Sequence, residues 1–268
     1  MKKTAKTKDQ LKTRKPTKSQ LDLLKLLYKF RFATATLLAT HRQKNPVTIY
    51  GTLQLLLKSQ YIAKNYAPSY KLAGRGAEYY LTNAGIRYLR DNENLNELVL
   101  HAMYKNKSLG QPFIQKCLLI YKIYIQLIRQ YGSSMKIYTR AEMQGIDGFP
   151  EQLPDMYITT EKNTYFIDIF TENLFYLVKK RLDALVKHYE SDEWTEDKYP
   201  TILLVFPDSR IEAKAQVYIE KIKDNSFIED GDLAVLTTTL KALVDSNNTE
   251  IWSSDDVKLV SLMPSTYN

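Results

Sequence analysis

From Ser19 onward, Leu21, Leu24, Leu27 and Tyr28 recur at spacings of three and four, which predicts an amphipathic helix running to about Phe30. A shorter helix fits ATATLLATHR, with Thr34 as its cap and Leu37 and Leu38 turned inward. Asn45-Pro46 reads as the N-cap and first helical position of a third, VTIYGTLQLLLKSQ. That helix places Ile49, Leu53 and Leu56 on one face and Tyr50, Gly51, Gln54 and Lys58 on the other. YIAKNYA and YKLAGRGAEYYLT then alternate as the strands of a β-hairpin, with Gly74, Arg75 and Gly76 at a flexible turn, and Thr82 caps NAGIRYLRDN. Three helices, a hairpin and a helix follow the order of a winged helix-turn-helix. In that fold the third helix enters the major groove of DNA and the hairpin lies over the adjoining backbone.

Residues 93–110 read as a linker holding a strand or helix that ends near Lys105. QPFIQKCLLIYKIYIQLIRQYG is apolar on most sides and predicts a long buried helix. Beyond it the period changes. KIYTRAEM is a first strand, DMYITTE and TYFIDIFTE form a hairpin about EKN, and NLFYLVKKRLDALVKHYES is a helix with Leu174, Leu177, Leu182, Leu185 and Val186 as its apolar stripe. YPTILLVFP reads as a buried central strand, SRIEAKAQVYIEKIKD as a helix, DLAVLTTTL as a strand, and EIWSS closes the chain's last layer. The alternation predicts an α/β layer architecture over residues 111–268, joined to the winged helix-turn-helix over residues 19–92.

Charge sharpens this division. Residues 1–92 hold 19 basic and 4 acidic side chains, a net of +15, whereas the remainder is at −7. A polyanionic partner is therefore expected on the N-terminal third, where residues 1–18, with eight basic side chains, read as a flexible basic arm. In a complex with double-stranded DNA, Lys58, Lys64, Lys71 and Arg75 would meet phosphates, and Tyr50 and Gln54 would reach base edges. Gly51 in mid-helix has two readings, a close approach of DNA and a helix-packing contact. The chain has one cysteine, Cys117, which excludes an internal disulfide framework and a multi-thiolate metal site. No apolar run reaches the length of a membrane span and no signal-peptide h-region follows the lysine-rich start, so a cytoplasmic protein is expected.

LPDMYITTEKNTYFIDIF holds the one candidate for hydrolytic chemistry. Asp155 before one strand and Asp168 within the next could share Mg²⁺ as in a PD-(D/E)XK nuclease, with Glu142 as a helper acid. Phe170 occupies the place of the lysine that would position water, and Lys179 or Lys180 would have to reach back from the next helix. The plain alternative is Asp155 as a turn residue and Asp168 paired with Arg181. His41, His101 and His188 are scattered without zinc-site spacing, and no phosphate-cradling glycine loop occurs.

The succession LDLLKLLYKFRFATATLLA, GRGAEYYLTNAGIRYL, LPDMYI, YFIDIFTE, RLDALVKHY and YPTILLVFP resembles the replication-relaxation family. The resemblance implies a DNA-binding winged helix joined to a restriction-endonuclease-like domain, often with an incomplete catalytic set. It matches Asp155, Asp168, Thr171 and Glu172 to family positions and departs at Phe170, where the family tends to place an acidic residue. The expected function is recognition of a double-stranded site by an accessory protein of plasmid or mobile-element replication or transfer. No cofactor is then required, and the second domain would be a contact platform for replication or transfer proteins or for a second copy of the chain. Two alternatives stay open: a Mg²⁺-dependent endonuclease, and a winged-helix transcriptional regulator whose second domain senses a ligand or partner.

Overall fold

A computed structural model describes residues 15–225, 233–245, 249–253 and 259–262. Most of the expected basic arm, residues 1–14, lies outside them. The chain is mixed α and β, with a helical region that carries a small antiparallel sheet and a second region built on a seven-stranded mixed sheet.

The first region opens with α1 (Lys18–Phe30), which starts on a capping box between Thr17 and Gln20 and buries Leu23, Leu24, Leu27, Tyr28 and Phe30. Strand β1 (Ala33–Thr34) leads into α2 (Ala35–Arg42), capped by Thr34, and then α3 (Pro46–Lys58), whose first turn is closed by the Asn45 side chain. Ile49, Leu53 and Leu56 of α3 face the core. Strands β2 (Ile62–Asn65) and β3 (Glu78–Leu81) pair antiparallel with Ile62 opposite Leu81, and β1 adds to the outer side of β3. The two strands are not joined by a tight hairpin. Pro68 starts a one-turn helix, α4 (Pro68–Leu72), because proline at the first helical position needs no hydrogen-bond partner there. Between the sheet and the next region lie α5 (Asn83–Asn92), capped by Thr82, and α6 (Glu97–Met103), capped by Asn96, so the linker is helical.

The long helix α7 (Gln111–Tyr131) serves both regions. Its Tyr121 belongs to the first core, stacked on Phe30 with ring centroids 3.8 Å apart, while Ile123, Leu127 and Tyr131 belong to the second. Strand β4 (Lys136–Thr139) is followed by a single turn, α8 (Arg140–Met143), so KIYTRAEM is half strand and half helix. A Thr139 and Glu142 capping box makes that switch.

Strands β5 (Met156–Thr159) and β6 (Thr164–Ile169) continue an antiparallel meander, and helix α9 (Phe175–Tyr189) crosses to β7 (Thr201–Phe206), parallel to β6. Helix α10 (Ser209–Asn225) crosses to β8 (Val235–Thr239), also parallel. After α11 (Leu240–Asp245), short β9 (Trp252–Ser253) and β10 (Leu259–Val260) finish the sheet in the order β10-β9-β8-β7-β6-β5-β4.

Alternation along the strands sends Ile167, Ile169, Leu203 and Val205 toward α7 and α11, and Phe166, Ile202, Leu204 and Phe206 toward α9 and α10. The result is a sheet with helices on both faces. The buried stripe of α9 is Val178, Arg181, Leu182, Leu185 and His188 rather than one beginning at Leu174, which lies exposed. Two polar side chains hold core positions there because Asp168 and Tyr199 supply their partners.

Two glycines differ in what their neighbours require. A Cβ on Gly85 would press on the Tyr61 carbonyl oxygen, whereas one on Gly51 would meet nothing within 4 Å. Gly85→Ala is expected to lower stability by roughly 1–3 kcal/mol through overpacking against backbone, and Gly51→Ala to raise it by about 1 kcal/mol through helix propensity. Urea denaturation of both variants checks the opposite signs.

Candidate functional site

The outward face of α3 runs Val47, Tyr50, Gly51, Leu55 and Lys58, with Val47 76%, Leu55 56% and Tyr50 51% exposed. Those fractions mark a helix that lies on the first core by one face only. Gln54 is half-buried, and its Nε2 lies inside the protein with no hydrogen-bond partner, so its amide is turned partly away from solvent. Of the expected phosphate-binding residues, Lys58, Lys64 and Lys71 are exposed, and among the described residues none has a carboxylate partner. Lys44, in the turn before α3, is exposed and has no acidic partner among the described residues, and sequence reasoning did not single it out. Its position next to the Asn45 cap was the available signal.

Arg75 is placed differently. Its Nη2 donates to Glu78 Oε1 and to Gln111 Oε1, both at 2.7 Å, and its guanidinium stacks over Tyr70 at 4.4 Å. Glu78 is buried and also accepts from Gln115 Nε2 at 2.8 Å and Tyr70 OH at 3.3 Å. This network fastens the connection between β2 and β3 to the N-terminal turns of α7. Arg75 thus serves the fold, and the exposed cations around α3 are lysines. Four other cations of this region are neutralised, Lys25 by Glu93, Lys29 by Glu142, Arg42 by Asp22 and Arg90 by Glu97, whereas Arg31 and Arg87 bond only to neutral oxygens among the described residues.

His41 sits among Phe30, Tyr121 and Tyr124, its Nδ1 buried without a partner. Burial first, then Lys29 and Arg42, lowers its pKa to about 4. The folded protein keeps it neutral where the unfolded chain protonates it, so its contribution is complete above about pH 6.5 and is lost as pH falls toward 4. His41→Phe is expected to flatten the fall in melting temperature between pH 6.5 and 4.5, as read by circular dichroism.

In the second region, Asp155 and Asp168 come to the same end of the β5–β6 pair. The Asp155 N–H donates to the Ile167 carbonyl at 2.8 Å, and Asp155 Oδ2 accepts from the Ile169 N–H at 2.9 Å. Both carboxylates are buried, and both have cations. Lys116 Nζ of α7 lies 3.0 Å from Asp155 Oδ2. Arg140 Nη2 stands 2.8 Å from Asp155 Oδ1 but off a good hydrogen-bonding line, so that oxygen gains charge compensation without a directed bond. Arg181 Nε donates to Asp168 Oδ2 at 2.7 Å, and its Nη1 to the Gln152 carbonyl at 2.6 Å. Burial pushes the Asp168 carboxyl up, Arg181 pulls it down, and Asp155 pushes it up again.

Glu142 is separate from this pair, bonded to the Thr139 N–H at 2.8 Å and to Lys29 at 2.9 Å. Phe170 stacks on Phe206, and Lys179 lies over the Tyr218 ring at 4.8 Å with Lys180 exposed, so none of them supplies an ammonium group to the carboxylates. Among the described residues, no three His, Cys, Asp or Glu side chains are grouped to hold a metal ion. A shared Mg²⁺ would have to displace Lys116 and Arg140 from one carboxylate and Arg181 from the other, which makes this pair a poor fit for it. Its evident role is to join α7, α8 and α9 to the sheet. Arg181→Met is expected to cost about 3–5 kcal/mol, because Asp168 would stay buried without its cation. Chemical denaturation measures it, with Lys179→Met as an exposed control.

No protein-family model, curated protein or solved structure matched this chain.

Proposed function

We propose that the protein binds double-stranded DNA through α3 and the β2–β3 unit, as a winged helix-turn-helix does, and that the seven-stranded unit is a restriction-endonuclease-like scaffold without hydrolytic activity. The observation that supports this reading is that Lys44 and Lys58, at the two ends of α3, and Lys64 and Lys71, in β2 and α4, stand exposed without carboxylate partners among the described residues, whereas Lys25, Lys29, Arg42, Arg75 and Arg90 are paired with acids. Electrostatics of that kind favours a phosphate backbone over a neutral partner. The order of three helices with β1 closing a small antiparallel sheet on β3 fits the same fold.

On this reading the α3 axis lies in the major groove, Tyr50 faces base edges, and the absence of a side chain at Gly51 lets the backbone approach closely. The lysines contact phosphates on either side. Arg75 holds the wing rather than the DNA. A service in plasmid or mobile-element replication or transfer rests on the resemblance of the quoted segments to the replication-relaxation family, as does the expectation of protein partners or a second copy of the chain.

The cation partners of Asp155 and Asp168 favour the non-catalytic form of this proposal over the nuclease form. The test of DNA binding is a salt titration of duplex affinity. Lys58→Gln, Lys64→Gln and Lys71→Gln are each expected to reduce the log-log salt slope by about one unit, whereas Arg75→Gln leaves the slope unchanged and lowers stability by about 2 kcal/mol. An unchanged slope in all three lysine variants refutes this placement of the interface.

A further inference from the structure

A half-enclosed cavity of about 480 Å³ opens between α1, α6, α7 and α8. Its size falls within the roughly 300–1,000 Å³ of small-molecule sites. Tyr28, Leu98, Val99, Met103, Phe113 and Ile120 make most of its wall apolar. Set into that wall are four cations, Lys29, Arg31, Lys116 and Arg140, and one carboxylate, Asp155. Lys29 is neutralised by Glu142 at 2.9 Å, and Lys116 and Arg140 share Asp155. Arg31 has no carboxylate within ion-pairing distance among the described residues; its Nε donates to Asn106 Oδ1 and its Nη2 to the Ala102 carbonyl. The cavity therefore carries more positive charge than its own acids offset.

Arg31 is also held in an unusual backbone. Its φ is 70° and ψ −47°, and the Phe32 N–H closes a tight turn on the Phe30 carbonyl at 2.8 Å. A side chain larger than glycine is rare in that conformation and is found where the surroundings fix it for a purpose. The turn carries the guanidinium to the cavity, where it lies over the Phe113 ring at 5.0 Å. Nη1 has no protein acceptor among the described residues, which leaves a donor for a ligand.

We propose that this cavity binds a small amphipathic carboxylate, its apolar body against Tyr28, Leu98, Met103 and Ile120 and its carboxylate on Arg31, with Lys116 and Arg140 supplying the surrounding field. The apolar wall selects against strongly hydrated anions such as free phosphate, and the charge surplus selects against neutral apolar molecules. The Cys117 thiol in the same wall is pushed up to about 12 by burial, so it acts as a packing group and not as a nucleophile. Because the walls come from α1 and α6 on one side and α7 and α8 on the other, the ligand would tie the two regions together. This site stands independently of whether α3 binds DNA.

Isothermal titration of the full chain with decanoate and 2-naphthoate, and with decanol as the neutral comparison, tests the proposal. Saturable 1:1 binding of at least one carboxylate is expected, with decanol at least tenfold weaker. Arg31→Met should lower carboxylate affinity at least tenfold, the loss expected when a charged hydrogen bond is removed, and Arg31→Lys should restore part of it. Should Arg31→Met fold poorly by circular dichroism, Ala102→Phe, at an exposed wall position, is expected to block binding while the melting temperature holds. Failure of both carboxylates to saturate, or equal affinity in wild type and the Ala102→Phe protein, would overturn it.

Discussion

Helix α7 is the constraint on which the rest of the molecule depends. One uninterrupted run of 21 residues closes the first core with Tyr121 and the second with Ile123, Leu127 and Tyr131. Its N-terminal turns hold Glu78 through Gln111 and Gln115, and Asp155 through Lys116. A helix fixed at both ends of its length transmits packing changes between regions as a rigid element, since a well-packed core does not deform continuously. The connection between β2 and β3, the carboxylate pair and the apolar cavity all take their position from it.

Charge follows the same division. In the second region the two buried aspartates are matched by three cations, Asp155 by half-buried Lys116 and exposed Arg140 and Asp168 by buried Arg181, an arrangement that orients helices on a sheet and blocks a metal from both carboxylates at once. Around α3 the matching stops, and lysines stand in solvent beside an exposed apolar and aromatic stripe. Uncompensated surface charge of one sign repels itself at no structural benefit, and the proposed polyanionic partner would offset it.

Much of the fold was legible in residue spacing. The bounds of α1, α2 and α3, their Thr34 and Asn45 caps, and the alternation of strands and helices beyond α7 follow from local periodicity and cap chemistry. The pairing of Asp168 with Arg181 was one of two readings open in the sequence, because 13 residues of strand, turn and helix return the chain to the same face. The anchorage of Arg75 was half legible: Glu78, its acid, lies only three residues on, whereas Gln111 lies 36 residues further along and has no local signature. The stripe of α9 differs from the expected one at its start because Leu174 is the exposed N-cap and not a helical position, and further along because Arg181 and His188 look polar in sequence and are buried by Asp168 and Tyr199. The cavity had no local signature at all: Arg31, Ala102, Lys116 and Arg140 meet only after four helices pack.

The most direct measurement of the central claim is hydrogen exchange of the full chain with and without duplex DNA at low ionic strength, in the presence of a chelator. Protection of amides across residues 44–72, with those of α9 and α10 unchanged, is the outcome this account requires. Protection confined to α9, α10 or residues 150–170, or protection that appears only when Mg²⁺ is supplied, would contradict it.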